Sequence, residues 1–326
     1  MDKVLIAPIT LAGIDGAFVR VLREAGFELV YPNVGAQLTE EQLLKFLSGV
    51  KAALAGSEPY TARVLDAHPQ LRVIARVGVG YDAVDVEAAT QHNCAVTITP
   101  GTNEGSVAEH AFCLMLGLAR DLVAQHQGVK AGGWPRKALL PLRGQTLGIA
   151  GLGRIGKAVA LRGAAFGMRL AAYDPVPDKT FAAQHNITLM PFDQLLAEAD
   201  FLTLHLPATP ETRYLINRRT LALMKPTAFL INTARGTIVN ETDLLEALKN
   251  KRLAGAGLDV FEREPPGKHP LFDLDNVLLT PHAGGADVRS RDDMALSAAQ
   301  AIVALSRGEW PAEKIVNPEV RPRFRW

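Results

Sequence analysis

The fold is decided by Leu147–Gly156, which reads LGIAGLGRIG. Four apolar, strand-like residues lead into a G-x-G-x-x-G run, and a helical pattern follows. A strand, a glycine-rich turn and a helix in this order are typical of a dinucleotide-binding βαβ unit. Gly151 is expected to allow the tight turn, Gly153 to let the backbone approach a pyrophosphate, and Gly156 to let helix and strand pack closely.

An aspartate ends the next strand-like run. Asp174 follows Gly156 by 18 residues. A carboxylate at this position can accept hydrogen bonds from both ribose hydroxyls and would repel a 2′-phosphate. The following Pro175-Val176-Pro177 offers no arginine for such a phosphate. The sequence therefore predicts NAD, and not NADP, as the cofactor.

Strand-like runs alternate with helical patterns on both sides of this unit. We predict strands at Lys3–Ala7, Glu28–Tyr31, Ala52–Ala55, Val73–Val77, Cys94–Ile98, Leu147–Ala150, Arg169–Tyr173, Phe201–Leu204, Ala228–Ile231, Ala254–Leu258 and Val277–Leu279. The alternation predicts an α/β protein with parallel sheets covered by helices on both faces. Two long helical patterns, Glu104–Val129 and Val288–Ser306, are each predicted to form one helix.

Composition narrows the class of protein. The chain has 326 residues, 48% of them apolar, and a net charge of +1, so a broad basic surface for nucleic acid or an anionic membrane is not expected. Two cysteines exclude a disulfide framework and a cysteine-based zinc site. The apolar run Ala111–Ala119 is much shorter than the roughly 18 residues that span a bilayer. A cytoplasmic enzyme of about two domains, without a metal, is expected.

Polar side chains follow three strand-like runs in the second half: Arg235, Asp259 with Glu264, and His282. The carboxyl ends of parallel strands border the ligand crevice of an open α/β sheet. Arginine offers a planar fork for a carboxylate, and histidine can protonate a carbonyl oxygen near neutral pH. Structural histidines and surface ion pairs use the same residue types, so spacing alone leaves both interpretations open.

These residues belong to a series of motifs that resembles the D-isomer-specific 2-hydroxyacid dehydrogenase family over essentially the whole chain. The motifs lie at Arg76–Asp82, Asn103, Ser106–His110, Gly151–Gly156, His205–Pro207, Thr209–Thr212, Met224–Pro226, Ile231–Gly236, Asp259–Phe261, Glu264–Pro265 and Pro281–His282. The resemblance implies two Rossmann-like domains. A doubly wound NAD-binding domain (99–287) would be inserted into a flavodoxin-like substrate domain (1–98, completed by 288–326). It also implies a homodimer, with Trp134 near the partner.

The resemblance assigns roles by position. His282 matches the acid/base of the family, Glu264 its carboxylate partner, and Arg235 the substrate clamp. The substrate carboxylate would meet backbone N–H groups of Gly78, Val79 and Gly80, with Asn103 nearby. The cofactor would contact Gly151, Gly153, Arg154, Ile155, Gly156, Asp174, His205, Pro207, Thr233, Ala234 and Asp259.

Departures from the family pattern bear on the substrate. Asp287 replaces a threonine that many members carry five positions after the histidine. Phosphoglycerate dehydrogenases tend to carry arginine at the cleft edge, where this chain has Glu58 and no arginine before Arg63; Arg289 or Arg291 could compensate. We expect reduction of a small 2-keto acid such as glyoxylate or hydroxypyruvate.

Alternatives remain at this stage. One is a 3-phosphoglycerate dehydrogenase, and another is phosphite oxidation. Formate dehydrogenases share the fold but carry glutamine where this chain has Glu264, which speaks against them. A different class is an NAD-gated, corepressor-like binding protein that keeps the same three residues.

Overall fold

The computed structural model describes every residue from Met1 to Trp326 and divides the chain into two structural units. The first unit contains Met1–Asn103 and Ala286–Trp326, and the second contains Glu104–Gly285. The second unit is thus inserted in the sequence of the first. Its bounds differ by a few residues from the expected insertion at 99–287. No helix of the structure is long and apolar enough to cross a membrane.

The first unit is built on a five-stranded parallel sheet. Its strands are β1 (Lys3–Ile6), β2 (Glu28–Val30), β3 (Val50–Ala55), β4 (Val73–Arg76) and β5 (Ala95–Thr97). Their spatial order is β2-β1-β3-β4-β5, which is the flavodoxin-like order. The strands are short apolar runs because a parallel sheet is covered on both faces.

Helices α1 (Ala17–Glu24), α2 (Glu40–Phe46), α3 (Ala62–Ala67) and α4 (Val86–Gln91) connect these strands. Three of them begin at a side chain that accepts a backbone N–H of the first turn: Thr39, Thr61 and Asp85. These caps satisfy N–H groups that have no partner within the helix. The local sequence therefore sets where these three helices begin.

The second unit contains a seven-stranded parallel sheet. Its strands are β6 (Thr146–Ala150), β7 (Arg169–Tyr173), β8 (Thr188–Leu189), β9 (Phe201–Leu204), β10 (Phe229–Asn232), β11 (Gly255–Leu258) and β12 (Val277–Leu279). The order is β12-β11-β10-β9-β6-β7-β8, a doubly wound sheet whose order reverses between β6 and β9. Ligands bind at such a reversal, beyond the carboxyl ends of the strands.

Helices of the second unit are α5 (Glu104–Ala119), α6 (Leu122–Lys130), α7 (Arg154–Ala165), α8 (Lys179–Gln184), α9 (Phe192–Glu198), α10 (Arg218–Leu221) and α11 (Glu241–Lys249). The prediction of one helix over Glu104–Val129 is wrong. Asp121 has a left-handed backbone with φ of +48°, which an α-helix cannot contain, and the chain restarts as α6. The apolar pattern continues across this break and conceals it.

Helix α12 (Val288–Ser306) returns the chain to the first unit, where it packs against α1. Asp287 caps it by accepting the N–H of Ser290 at 2.8 Å. The terminal Trp326 packs edge-on against Phe27 and donates its indole N–H to Asp2 at 2.9 Å. Short 3₁₀ segments lie at Ile9–Leu11, Gly236–Ile238, Pro270–Asp273, Ala312–Lys314 and Pro318–Val320.

Candidate active site

The glycine-rich turn joins β6 to α7 at the point where the strand order reverses. Gly151 has φ of +99°, and a Cβ there would lie 2.7 Å from the carbonyl carbon of His205. A Cβ on Gly156 would lie 2.0 Å from the carbonyl oxygen of Gly151. A Cβ on Gly153 would have no atom of the chain within 4 Å. Packing therefore requires the first and third glycines, while the second leaves open space at the first turn of α7.

Asp174 lies at the end of β7 beside this turn. Its Oδ2 accepts the N–H of Leu152 at 2.7 Å, and its Oδ1 accepts the N–H of Val176 at 2.8 Å. Each carboxylate oxygen has a second lone pair. The carboxylate is thus held in place by the backbone and can still accept hydrogen bonds from ribose hydroxyls.

Two buried polar atoms near the strand ends have no hydrogen-bond partner in the chain: His205 Nδ1 and Thr233 Oγ1. Buried polar groups are normally paired, so these two atoms fit contacts with a bound ligand. Burial lowers the pKa of His205 to about 3, so its ring is neutral. The neighbouring Pro207 is exposed and Ala234 is half-buried. With the open glycine turn and Asp174, these residues fit a dinucleotide.

His282 and Glu264 meet directly. Nδ1 of His282 lies 2.6 Å from Oε2 of Glu264, and Oε1 of Glu264 accepts the N–H of Phe261 at 3.0 Å. The side chains are 42% and 32% exposed, so a small molecule can reach the ring. Because Nδ1 is bonded to Glu264, Nε2 is the ring nitrogen that this pair does not use. The two residues form a histidine–carboxylate pair.

Asp259 is almost fully buried, with 1% of its surface exposed, beneath the turn that carries His282. Its Oδ1 accepts hydrogen bonds from Thr280 Oγ1 at 2.6 Å and from the N–H of Ala283 at 2.8 Å, and its Oδ2 accepts the N–H of Gly284 at 2.9 Å. Burial alone would raise the pKa of Asp259. Hydrogen bonds from this turn and from His110 outweigh burial, and the pKa is lowered.

Arg235 follows β10 in a segment that packs closely against the segment of Glu264. Its guanidinium Nη1 donates to the carbonyl of Ala234 at 2.7 Å. A Cβ on Gly236 would lie only 1.8 Å from the carbonyl carbon of Phe261, so only glycine permits this backbone contact. In the second unit, Arg235 follows β10, Glu264 follows β11 and His282 follows β12, and the last two side chains are in direct contact.

A carboxylate pair that sequence analysis missed supports the Glu264 segment. The N–H of Glu262 donates to Glu241 Oε1 and the N–H of Glu241 donates to Glu262 Oε1, both at 2.7 Å. Tyr214 also donates its hydroxyl to Glu262 at 2.9 Å. Burial raises the pKa of Glu241. No sequence signal marks this reciprocal pair, because glutamates are common on protein surfaces.

The loop Gly78–Gly80 of the first unit follows β4. Gly78 has φ of +148°, and its N–H donates to Thr99 Oγ1 at 3.1 Å. The N–H of Gly78 is therefore bonded within the first unit itself. Arg76 holds the far side of the loop, because its Nε donates to the carbonyl of Gly80 at 2.8 Å.

Two further residues of the first unit bear on the expected substrate. Asn103 is buried, and its Oδ1 has no hydrogen-bond partner in the chain. Glu58, expected at a cleft edge, is instead 1% exposed, and its Oε2 accepts the N–H of Gly56 at 2.6 Å. Burial raises the pKa of Glu58. The buried Glu58 carboxyl therefore does not expose a negative charge to solvent. The other part of the expectation still holds, because no arginine lies between Gly56 and Arg63.

Comparison with known proteins places these features in context. Residues 112–284 match the family described as D-isomer specific 2-hydroxyacid dehydrogenase, NAD binding domain. The chain is 41% identical to a glyoxylate reductase of Pyrococcus furiosus over 307 residues, which cover 91% of each chain. It is 40% identical to a D-3-phosphoglycerate dehydrogenase of Methanocaldococcus jannaschii over 303 residues, 92% of this chain and 57% of that protein.

A solved structure extends the comparison to the fold. The crystal structure of the TT0316 protein from Thermus thermophilus matches with a TM-score of 0.87 at 37% identity. The match covers 96% of this chain and 99% of that chain.

Proposed function

The chain belongs to the D-isomer specific 2-hydroxyacid dehydrogenase family, whose members interconvert 2-keto and 2-hydroxy acids with NAD, and we propose that it reduces a small, unphosphorylated 2-keto acid. Glyoxylate and hydroxypyruvate are the substrates we expect. The observation that carries the reaction class is the contact of 2.6 Å between His282 Nδ1 and Glu264 Oε2. This contact leaves the other ring nitrogen to exchange a proton with the substrate oxygen.

The proposed chemistry assigns one role to each residue of the second unit. NADH, when bound, supplies the hydride that adds to the carbonyl carbon. His282 donates the proton that the carbonyl oxygen gains, and Glu264 stabilises the imidazolium form and orients the ring. Arg235 binds the carboxylate of the keto acid through its guanidinium. In the reverse direction, His282 removes the hydroxyl proton of the D-2-hydroxy acid.

We propose that the amides of Val79 and Gly80 also bind the substrate carboxylate. Glycines beside this position keep side chains away from the backbone N–H groups. The N–H of Gly78 is already bonded to Thr99, so its contribution is the shape of the loop. Asn103 is proposed to contact the substrate, because its buried carbonyl oxygen has no partner in the chain.

The cofactor is proposed to lie along the carboxyl edge of the second sheet. Its pyrophosphate would meet the backbone between Gly151 and Gly156, including Arg154 and Ile155, and its ribose would meet Asp174. On the adenosine side we propose His205 and Pro207. On the nicotinamide side we propose Thr233, Ala234 and Asp259.

An unphosphorylated substrate is supported by two observations. The segment that follows β3, from Gly56 to Ala62, contains no arginine or lysine that could bind a phosphate. The chain is also 41% identical to a protein named glyoxylate reductase over 91% of both lengths. The similarity to a phosphoglycerate dehydrogenase, at 40%, makes that activity the alternative.

The decisive experiment is a panel of keto acids. Glyoxylate, hydroxypyruvate and 3-phosphohydroxypyruvate are each reduced with NADH and with NADPH, and kcat/KM is compared. We expect kcat/KM for an unphosphorylated acid to exceed that for the phosphorylated one by at least about tenfold. A preference for the phosphorylated acid would favour the phosphoglycerate dehydrogenase. No turnover of any acid, with NADH still bound, would favour the binding-protein class.

The role of His282 is tested by His282→Ala. Loss of a general acid typically lowers kcat by about 10²- to 10⁴-fold. NADH binding, followed by fluorescence, should persist in this variant. A near-normal kcat would contradict the assignment.

We also propose a homodimer in the cytoplasm. Helix α6 and the following segment expose large apolar side chains, namely Leu122, Val123, Val129 and Trp134. Apolar clusters of this kind mark protein interfaces. The two cysteines, Cys94 and Cys113, are free thiols, as is common in a reducing compartment.

A further inference from the structure

Helix α5 contacts the turn that carries His282 through two side chains on one face. Ser106 and His110 are four residues apart, so they lie on the same side of the helix. Ser106 Oγ donates to the carbonyl of Gly284 at 2.8 Å. His110 Nε2 lies 2.8 Å from Thr280 Oγ1 and 3.3 Å from Asp259 Oδ1.

The direction of these hydrogen bonds follows from the atoms present. The Thr280 hydroxyl has one hydrogen, which it donates to the Asp259 carboxylate at 2.6 Å. Its oxygen must then accept the remaining hydrogen bond from His110 Nε2–H. A chain of donors therefore runs from His110 through Thr280 to Asp259.

The turn that this chain holds has a strained backbone. His282 has φ of +53°, a left-handed conformation that costs energy for a residue other than glycine. Its N–H donates to the carbonyl oxygen of Asp259 at 2.8 Å. The Asp259 carboxylate accepts the N–H groups of Ala283 and Gly284 on the far side. The orientation of Asp259 thus fixes the backbone on which the His282 ring stands.

We propose that His110 and Thr280 are positioning residues, which hold Asp259 in the orientation that fixes the His282 turn. In this proposal, neither side chain touches the reacting atoms, and both act through Asp259. Since Asp259 is also proposed to contact the nicotinamide, its orientation affects the catalytic ring and the cofactor together. The inference rests on the proposed role of His282.

The test compares His110→Ala, His110→Gln and Thr280→Val with the wild type. Removing either hydrogen bond should lower kcat by about tenfold, while KM for NADH changes by less than about twofold. His110→Gln should regain most of kcat, because its side-chain N–H can still reach the hydroxyl. His110→Ala combined with Thr280→Val should lose less than the product of the two single losses, since both variants remove the His110–Thr280 hydrogen bond.

A second readout does not depend on activity. Hydrogen exchange of the backbone amides of Ala283 and Gly284 should become faster in His110→Ala and Thr280→Val, while exchange within Gly151–Gly156 stays unchanged. The control is His92→Ala, which removes a histidine paired with Asp66 in the first unit and should change neither kcat nor exchange at this turn.

The proposal would be overturned by wild-type kcat in His110→Ala, by fully additive losses in the double variant, or by unchanged exchange at Ala283 and Gly284. A rise in KM for NADH with unchanged kcat would also overturn it, because the pair would then serve cofactor binding alone. Failure of the proposed function shows separately, as near-normal turnover in His282→Ala, and leaves the exchange result to decide the structural claim.

Discussion

At the scale of single residues, we propose that the charge of Asp174 selects NADH over NADPH. Two backbone N–H groups fix this carboxylate beside the glycine turn. We expect Asp174→Asn to raise kcat/KM for NADPH relative to NADH by about tenfold, equivalent to roughly 1.4 kcal/mol, because the 2′-phosphate is no longer repelled. Steady-state kinetics with both cofactors measure this ratio.

Asp178→Asn is the matched control for this substitution. Asp178 lies four residues further along, where it caps α8 and contacts Lys157. Asparagine caps a helix about as well as aspartate, so α8 should remain intact. The cofactor ratio should not change in this control. An equal change in both variants would mean that overall charge, and not the position of Asp174, determines the preference.

Asp259 should make the site sensitive to acid. Its pKa is lowered below the ordinary 3.8, so the folded state favours the ionised carboxylate. The stabilisation that results is complete above the unfolded pKa and is lost as pH falls through the folded pKa. We expect the stability of the wild type to fall below about pH 4, and Asp259→Asn to show a smaller fall. Urea unfolding of the wild type and of Asp259→Asn, at a series of pH values from about 2.5 to about 6, measures the two falls in stability.

The control for this prediction is Asp275→Asn, which changes an exposed aspartate of the same unit. Its stability should follow the wild type at every pH. If the stability of Asp259→Asn fell with pH in the same way as that of the wild type, Asp259 would not be the source of the acid sensitivity.

Residues that act through local patterns were predictable, and those that act through long-range contacts were not. The glycine turn is encoded within ten residues, and Glu264 and His282 each follow a recognisable strand. Ser106 and His110 instead contact positions 178 and 170 residues away. Their motif, Ser106–His110, contributes to the family resemblance but does not indicate these contacts, because only the packing of α5 against the sheet brings the two side chains to the turn.

At the scale of secondary-structure elements, most strands lie where their apolar runs predict them. Strand β8 was missed because it has only two residues, Thr188–Leu189, at the edge of the sheet. The break between α5 and α6 was missed because apolar residues resume directly after Arg120 and Asp121, at Leu122 and Val123. Short edge strands and single left-handed residues depend on tertiary contacts, which a periodicity does not record.

The packing of β6 against α7 gives a prediction that separates folding from cofactor binding. Gly153→Ala adds a methyl group to open space, so the free energy of unfolding should stay within about 0.5 kcal/mol of the wild type. The same methyl group should obstruct the pyrophosphate and raise the Kd of NADH by about tenfold or more. Thermal melts without cofactor and NADH titration measure the two effects.

Gly156→Ala is the matched variant on the same helix. Its new Cβ would lie 2.0 Å from the Gly151 carbonyl oxygen, so α7 must move away from β6. We expect a loss of stability of about 1–3 kcal/mol or more without any cofactor present. If Gly153→Ala were the less stable of the two proteins, the assignment of open space to the second glycine would be wrong.

At the scale of the whole molecule, we expect anionic ligands to be bound by a few local groups and not by a broad basic surface. The chain carries 35 basic and 34 acidic residues. Backbone N–H groups at Gly151–Gly156 and Val79–Gly80 and the guanidinium of Arg235 are the groups we propose for the phosphates and the carboxylate. Such donors act at short range, which suits a small substrate and requires no net positive field.

The exposed apolar cluster of the second unit predicts the assembly. Trp134 is 76% exposed and Leu122 is 61% exposed, and stable dimers bury about 1,200 Å² or more around such anchors. We expect the wild type to sediment as a dimer, and the double variant Leu122→Glu with Trp134→Glu to sediment as a monomer, because two charges would be buried unpaired. Val288→Glu, at an exposed valine in the first unit, should leave the dimer intact. A double variant that still sediments as a dimer would place the interface elsewhere.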